Sequence, residues 1–162
     1  MKIEKLGKVH DREAFNSGSE PLDRYFKTQV TQDVRRRVTA CFVAISSGDH
    51  VAGYFTLNAS SVLLEDLPEA VKKKLPRYPT VPVVRMGRLA VDVAFKGQGL
   101  GAALLAEALN RSASSGIGAF ALVVDAKDAH AASFYRHFGF QPFQYESLTL
   151  FLPLATALKV KP

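Results

Sequence analysis

The sequence predicts one mixed α/β domain over residues 1–162, and three observations carry that reading. A chain of 162 residues is the size of one domain with a substantial core. Strand-like runs of β-branched and aromatic residues are interleaved with segments of helical period. Near the middle of the chain, a strand pattern, a glycine-rich turn and a helix pattern follow one another directly. No internal repeat, low-complexity tract or linker interrupts the series.

The elements follow in order. Met1 to Leu6 alternates charged and aliphatic residues as a short first strand. Asn16-Ser17-Gly18-Ser19-Glu20-Pro21 is a turn rich in helix-start residues. Leu22, Tyr25, Phe26, Val30 and Val34 then recur at three- and four-residue steps, which predicts one amphipathic helix. That helix would end on Arg35-Arg36-Arg37, where cations suit the negative end of the helix dipole. Thr39 to Ser46 and Val51 to Ser60 read as a hairpin turning at Ser47-Gly48-Asp49-His50. Glu65 to Leu75 reads as a short helix carrying Lys72-Lys73-Lys74, and Pro76, Pro79 and Pro82 impose an extended connection after it.

Val83 to Val93 is the next strand pattern. The turn from Phe95 to Gly101 leads into a helix with apolar positions 101, 104, 105, 108 and 109. Ala119 to Asp125 is a near-continuous apolar run, the pattern of a strand buried on both faces. Asp128 can cap a helix whose apolar stripe is Ala131, Phe134, Tyr135 and Phe138, with Gly139 as its stop. Phe140 to Phe143 and Ser147 to Leu152 close the series as two short strands. The order is strand, helix, three strands, helix, strand, helix, two strands.

Composition excludes several classes. With 48% hydrophobic and 22% charged residues, the chain has the apolar content to bury a core, unlike disordered, collagen-like or coiled-coil sequences. Its apolar stretches run only a few residues, against the roughly 20 of a membrane span, and the N-terminus has no apolar signal core. The expectation is a cytoplasmic protein without membrane association. The single cysteine, Cys41, lies in an apolar run and reads as a buried thiol. Lys and Arg number 21 against 15 Asp and Glu, a formal charge of +6 that suits phosphate-rich partners without identifying one.

Lys96-Gly97-Gln98-Gly99-Leu100-Gly101 holds the strongest chemical signal. Between a strand and a helix, free backbone N–H groups and the positive end of the helix dipole can bind an anion, and glycine lets a phosphate approach the backbone. A dinucleotide fold wants such a loop after its first strand, and a nucleoside-triphosphate loop ends in Gly-Lys-Ser or Gly-Lys-Thr. This loop is mid-chain and ends Gly101-Ala102-Ala103. Spacing alone leaves a pyrophosphate-type ligand and a plain tight turn both open.

With Arg88-Leu89-Ala90-Val91-Asp92 before it and Phe134-Tyr135-Arg136-His137-Phe138-Gly139-Phe140 after it, the loop resembles that of the GNAT family of acetyl-CoA-dependent N-acetyltransferases. Lys96 stands where the family more often has Arg or Gln, and Asp128 where it often has an asparagine that contacts the cofactor. Phe15-Asn16-Ser17-Gly18, Leu22-Asp23 and Gly53-Tyr54-Phe55-Thr56-Leu57 extend the resemblance to the GNAT toxins of bacterial toxin–antitoxin pairs. It implies a mostly antiparallel sheet, splayed at the acetyl-CoA site and flanked by helices. It also implies acetylation of the α-amino group of aminoacyl-tRNA, a consequent block of translation, and neutralisation by a ribbon-helix-helix antitoxin. A homodimer is compatible with it.

By the same resemblance, Leu89, Ala90 and Val91 offer backbone groups to the pantetheine and the acetyl carbonyl. Lys96, Gly97, Gln98, Gly99, Leu100 and Gly101 hold the pyrophosphate, with Phe134 beside the cofactor. Tyr135 is the general acid that protonates the departing thiolate. On pattern alone Tyr135 also reads as a core tyrosine of its helix. No carboxylate stands out as a general base, which suits an α-amine of pKa about 8 better than a lysine of about 10.4. His130 and His137 lie roughly 10 Å apart along one helical face, so no metal is expected. Arg35, Arg36, Arg37, Lys72, Lys73, Lys74, Arg77, Arg85 and Arg88 are the candidates for the tRNA backbone, although each alone also fits a solvated charge. Two other classes stay open: an acetyltransferase of a small or protein amine, and a module that binds acetyl-CoA without turnover.

Overall fold

The computed structural model describes residues 1–159, in which seven strands form one sheet of order β1-β2-β3-β4-β5-β7-β6. The strands are β1 (Lys2–Lys5), β2 (Ala40–Ile45), β3 (Val51–Leu63), β4 (Thr80–Val91), β5 (Ala121–Asp125), β6 (Gln141–Pro142) and β7 (Thr149–Pro153). The helices are α1 (Glu20–Thr28), α2 (Val30–Arg35), α3 (Glu69–Lys72), α4 (Leu100–Ala113), α5 (Ala129–His137) and α6 (Leu154–Lys159). The β1–β2, β2–β3, β5–β7 and β6–β7 pairs are antiparallel, and β4–β5 is parallel. The chain divides into two units, one of residues 1–58 and 87–108 and one of residues 59–86 and 109–162.

In the first unit, β1 and β3 flank β2, with registers from Lys2↔Ile45 and from Ala40↔Leu57. The core packs α1 and α2 against that sheet through aromatic rings. Phe26 stacks on Tyr54 at 4.3 Å between centroids, and Phe15 meets both rings edge-on at 5.0 and 5.6 Å. All three are at most 1% exposed, so each contributes about 1.5–3 kcal/mol of burial. The Tyr54 hydroxyl donates to the Leu22 carbonyl at 2.8 Å, which removes the cost of an unpaired buried polar group.

In the second unit, β5 lies between β4 and β7, in register from Val84↔Leu122 and from Ala121↔Pro153. Ala121 to Val124 are fully buried, as their continuous apolar run requires. Val62, Leu67, Val81, Val83, Val123, Phe143 and Phe151 form the core on one face.

The structure departs from the sequence reading at five points. The single helix expected over Leu22 to Val34 is two, because the backbone leaves helical geometry at Gln29 (φ −120°) while the apolar spacing runs on undisturbed. Arg37, at φ 63°, ends the arginine run in a left-handed turn. The α5 stripe is rotated: Ala132 and Tyr135 are buried, whereas Phe138 is 38% exposed. Helix α6 follows β7 and was not anticipated; β4 also begins earlier, at Thr80, since Pro82 still accepts through its carbonyl from Phe120 N–H at 2.8 Å.

Candidate functional site

In the first unit, the site elements are the end of β4, a short 3₁₀ turn and the N-terminus of α4. Ala90 is buried in the aromatic core, and Leu89 and Val91 are half-buried. Gly53 on β3 lets β4 come close: a Cβ there would lie 2.8 Å from Leu104 Cδ1 and 2.9 Å from the Ala90 carbonyl oxygen. Asp92 ends the strand. Its carboxylate accepts from Ala94 N–H at 2.9 Å and from Asn16 N–H at 3.0 Å, and its own N–H donates to the Ala52 carbonyl at 2.8 Å. This settles Asp92 as the closing residue of the turn.

Lys96 to Gly99 are exposed, and Gly97 and Gly99 both stand at φ +79° with no atom within 4 Å of an added Cβ. Both positions thus need glycine for conformation, and both leave free room above the backbone. Helix α4 begins at Leu100, and the Gly99 carbonyl accepts its first bond from Ala103 N–H at 3.1 Å. The N–H groups of the first turn therefore have no acceptor within the helix and face the dipole's positive end outward. A diphosphate fits this cradle. The Lys96 ammonium donates to the Ser17 carbonyl at 2.7 Å.

That contact ties in the segment 16–19. Ser17 N–H and Oγ–H both donate to Asp23 Oδ1, at 3.0 and 2.7 Å, and Gly18 N–H donates to Asn16 Oδ1 at 3.0 Å. Nearby, the Arg88 guanidinium lies 3.4 Å over the Tyr25 ring, and Tyr25 donates to Asp33 Oδ2 at 2.7 Å. Burial raises the Tyr25 phenol pKa, and the hydrogen bond from Tyr25 lowers that of the Asp33 carboxyl.

In the second unit, Asp128 caps α5 by accepting from Ala131 N–H at 2.8 Å, and α5 directs Tyr135 inward against Phe134 and Phe140. Burial first, and the Asp125 charge second, push the Tyr135 phenol up to about 12, so it is fully protonated at neutral pH. Three tyrosines are buried. Tyr25 and Tyr54 donate to protein oxygens, but the Tyr135 hydroxyl donates to no group among the described residues. It is a neutral acid with its proton uncommitted. Asp125, at the carboxyl end of β5, accepts from Arg85 Nη1 and, at 3.1 Å, from Thr149 Oγ1.

The basic candidates divide by environment. Arg35, Arg36, Arg37, Lys73, Lys74 and Arg77 are exposed. Lys72 pairs with Glu69 at 3.1 Å, Arg85 with Asp125, and Arg88 stacks on Tyr25. Sequence reasoning missed the linkage of Asp92 to Asn16 and of Asp125 to Arg85. Each joins residues tens of positions apart, and only the chemical types were visible.

Free backbone N–H groups at the start of α4 in the first unit, and a protonated phenol without an acceptor among the described residues in the second, are the chemistry the two units offer. Residues 4–140 match the Acetyltransferase (GNAT) family, and the chain belongs to it. Within that family it is similar to a tRNA-acetylating toxin of Mycobacterium tuberculosis, with 34% identity over 94% of this chain and 92% of that protein. Among solved structures it is similar to AtaT complexed with acetyl-methionyl-tRNAfMet, at TM-score 0.89 and 32% identity over 98% of both chains. It is also similar to a mutant AtaT toxin bound to the C-terminus of the antitoxin AtaR and acetyl-CoA, at TM-score 0.82 and 27% identity over 98% of this chain and 96% of that one. Among the described residues, no helix is long and apolar enough to cross a membrane, and no group of three or more His, Cys, Asp or Glu is placed to hold a metal.

Proposed function

We propose that this acetyltransferase is a single catalytic domain that acetylates the α-amino group of aminoacyl-tRNA, and that it acts as the toxin of a toxin–antitoxin pair by blocking translation in the cytoplasm. The observation that carries the catalytic part is the Tyr135 hydroxyl, carried on a buried ring, protonated and without an acceptor among the described residues. The acceptor is supported by the similarity to proteins described as tRNA-acetylating or bound to acetylated tRNA. A protein antitoxin is supported by the AtaR complex, and we assign it to the ribbon-helix-helix class on the sequence resemblance. A homodimer is compatible with this reading.

Acetyl-CoA supplies the acetyl group as an activated thioester. The N–H groups of the Gly97–Gly101 loop and the first turn of α4 bind its diphosphate, and Lys96 serves to pin that loop to Ser17. Backbone groups at Leu89, Ala90 and Val91 orient the pantetheine and polarise the acetyl carbonyl, as an oxyanion hole does. Phe134 packs beside the cofactor, and Tyr135 gives its proton to the leaving sulfur. Donation from a phenol of pKa about 12 to a thiolate is uphill, and is drawn forward by the cost of leaving the thiolate desolvated. Arg35, Arg36, Arg37, Lys73, Lys74 and Arg77 are the free cations for tRNA phosphates.

The test is radiolabelled acetyl transfer from acetyl-CoA to charged and uncharged total tRNA, with Tyr135→Phe beside the wild type. Label is expected on charged tRNA alone, with a loss on the order of 10² to 10⁴ in the variant. Label on neither tRNA by an enzyme that binds acetyl-CoA overturns the acceptor, and full activity of Tyr135→Phe overturns the acid.

A further inference from the structure

A cavity of about 370 Å³ opens in the second unit, and the reaction as described leaves it without a role. It lies among the end of β3, the 3₁₀ turn after it, β4 and the segment before β7. Its size falls within the roughly 300–1,000 Å³ of small-molecule pockets. Val62 and Phe143 are its buried apolar wall, and Leu63 and Tyr145 are exposed at 52% and 76%.

Charge separates this cavity from the rest of the chain. Arg85 and Thr149 line it, and both donate to Asp125, so the one lining cation is already neutralised. Asp66 and Glu146 also line it, and neither forms an ion pair among the described residues. Glu146 receives only Leu148 N–H, at 3.5 Å. Thus a chain of formal charge +6 carries a pocket with two uncompensated carboxylates. Asp125, which anchors Arg85, is also the carboxylate whose charge reaches Tyr135. Asp125 thus holds two lining residues of the pocket, Arg85 and Thr149, at the carboxyl end of β5.

Resting on the acceptor assigned above, we propose that this cavity takes the amino-acid side chain of the aminoacyl-tRNA, and that Asp66 and Glu146 make it reject anionic side chains. Apolar matter is buried against Val62 and Phe143. A carboxylate brought in would lose water and meet two like charges with no cation left to answer it.

The experiment uses tRNA charged with each member of two nearly isosteric pairs, aspartate with asparagine and glutamate with glutamine, so that charge varies at constant size. For the wild type, kcat/KM is expected to be at least about tenfold lower for the acidic member of each pair. The double variant Asp66→Asn, Glu146→Gln is expected to bring both ratios to within about threefold of one, with acetyl-CoA affinity confirming that it is folded. Equal wild-type rates within the pairs overturn the proposal. So does an undiminished ratio in the folded double variant, or inertness toward all four tRNAs by an enzyme that acetylates others. Absence of transfer to any aminoacyl-tRNA is a different result, since it removes the acceptor itself.

Discussion

Gly53→Ala tests whether the close approach of β3 to β4 sets the position of the strand proposed to hold the acetyl group. The added methyl would sit 2.8 Å from Leu104 Cδ1 and 2.9 Å from the Ala90 oxygen, where unstrained contacts begin near 3.5 Å. Leu104 is 0% exposed, and the oxygen belongs to the backbone of β4. Something must therefore shift by about 0.5 Å or more. Overpacking of this kind costs about 1–3 kcal/mol, and the loss of glycine's freedom in the unfolded chain returns about 0.4–1 kcal/mol, since the backbone at Gly53 is not left-handed. A net loss of up to about 2.6 kcal/mol remains. With an unfolding entropy near 2.1 cal/mol/K per residue, Tm falls by up to about 8 °C for a chain of this length. On the role proposed for Ala90, its displacement also disturbs the groups set to polarise the acetyl carbonyl, so kcat/KM should fall roughly 10- to 100-fold. Calorimetry and single-turnover transfer measure the two effects. A variant with wild-type Tm and wild-type transfer would refute the argument, because it would mean that the strands separate without cost.

Three further outcomes are expected. Gly99→Leu should lower acetyl-CoA affinity by at least about tenfold in titration calorimetry, because the position combines φ +79° with the phosphate approach; undiminished affinity would count against the cradle. With the Tyr135 phenol at about 12, its acid form persists as pH rises, so single-turnover transfer should climb through the amine's titration near pH 8 and show no falling limb below pH 10; such a limb would assign the acid to a less shielded group. Burial pushes the Cys41 thiol up to about 12 as well, so the folded protein should resist iodoacetamide at pH 8 and react once denatured, and rapid labelling of the native state would contradict that burial.

Local chemistry made much of the fold legible. The hairpin turn at Ser47–His50, the glycine loop, the Asp128 cap and the apolar run of β5 each express a backbone requirement in residue type, and each stands where expected. The break at Gln29 was not legible, since the residues on both sides keep one apolar spacing. The α5 stripe was displaced because burial there follows packing from outside the helix, as of Tyr135 on Phe140, and not the helix's own pattern. At the site, the glycines announced themselves. The pairing of Lys96 with Ser17 and of Arg85 with Asp125 did not, because a charge in sequence carries no record of its partner.

Neither unit is continuous along the chain, and this shapes how the enzyme comes into being. The turn at Asp92 to Lys96 closes on Asn16 and Ser17, which the ribosome has released some 76 residues before. Strand β5 gains its second neighbour only with β7, at Thr149–Pro153. Contacts of such long range must bear their loop-closure entropy before any reward arrives, which slows folding and binds it to late synthesis. A nascent chain halted before β7 holds Tyr135 on a sheet still missing one side. Catalytic competence is thus deferred until β7 has been made, a delay written into the order of its strands.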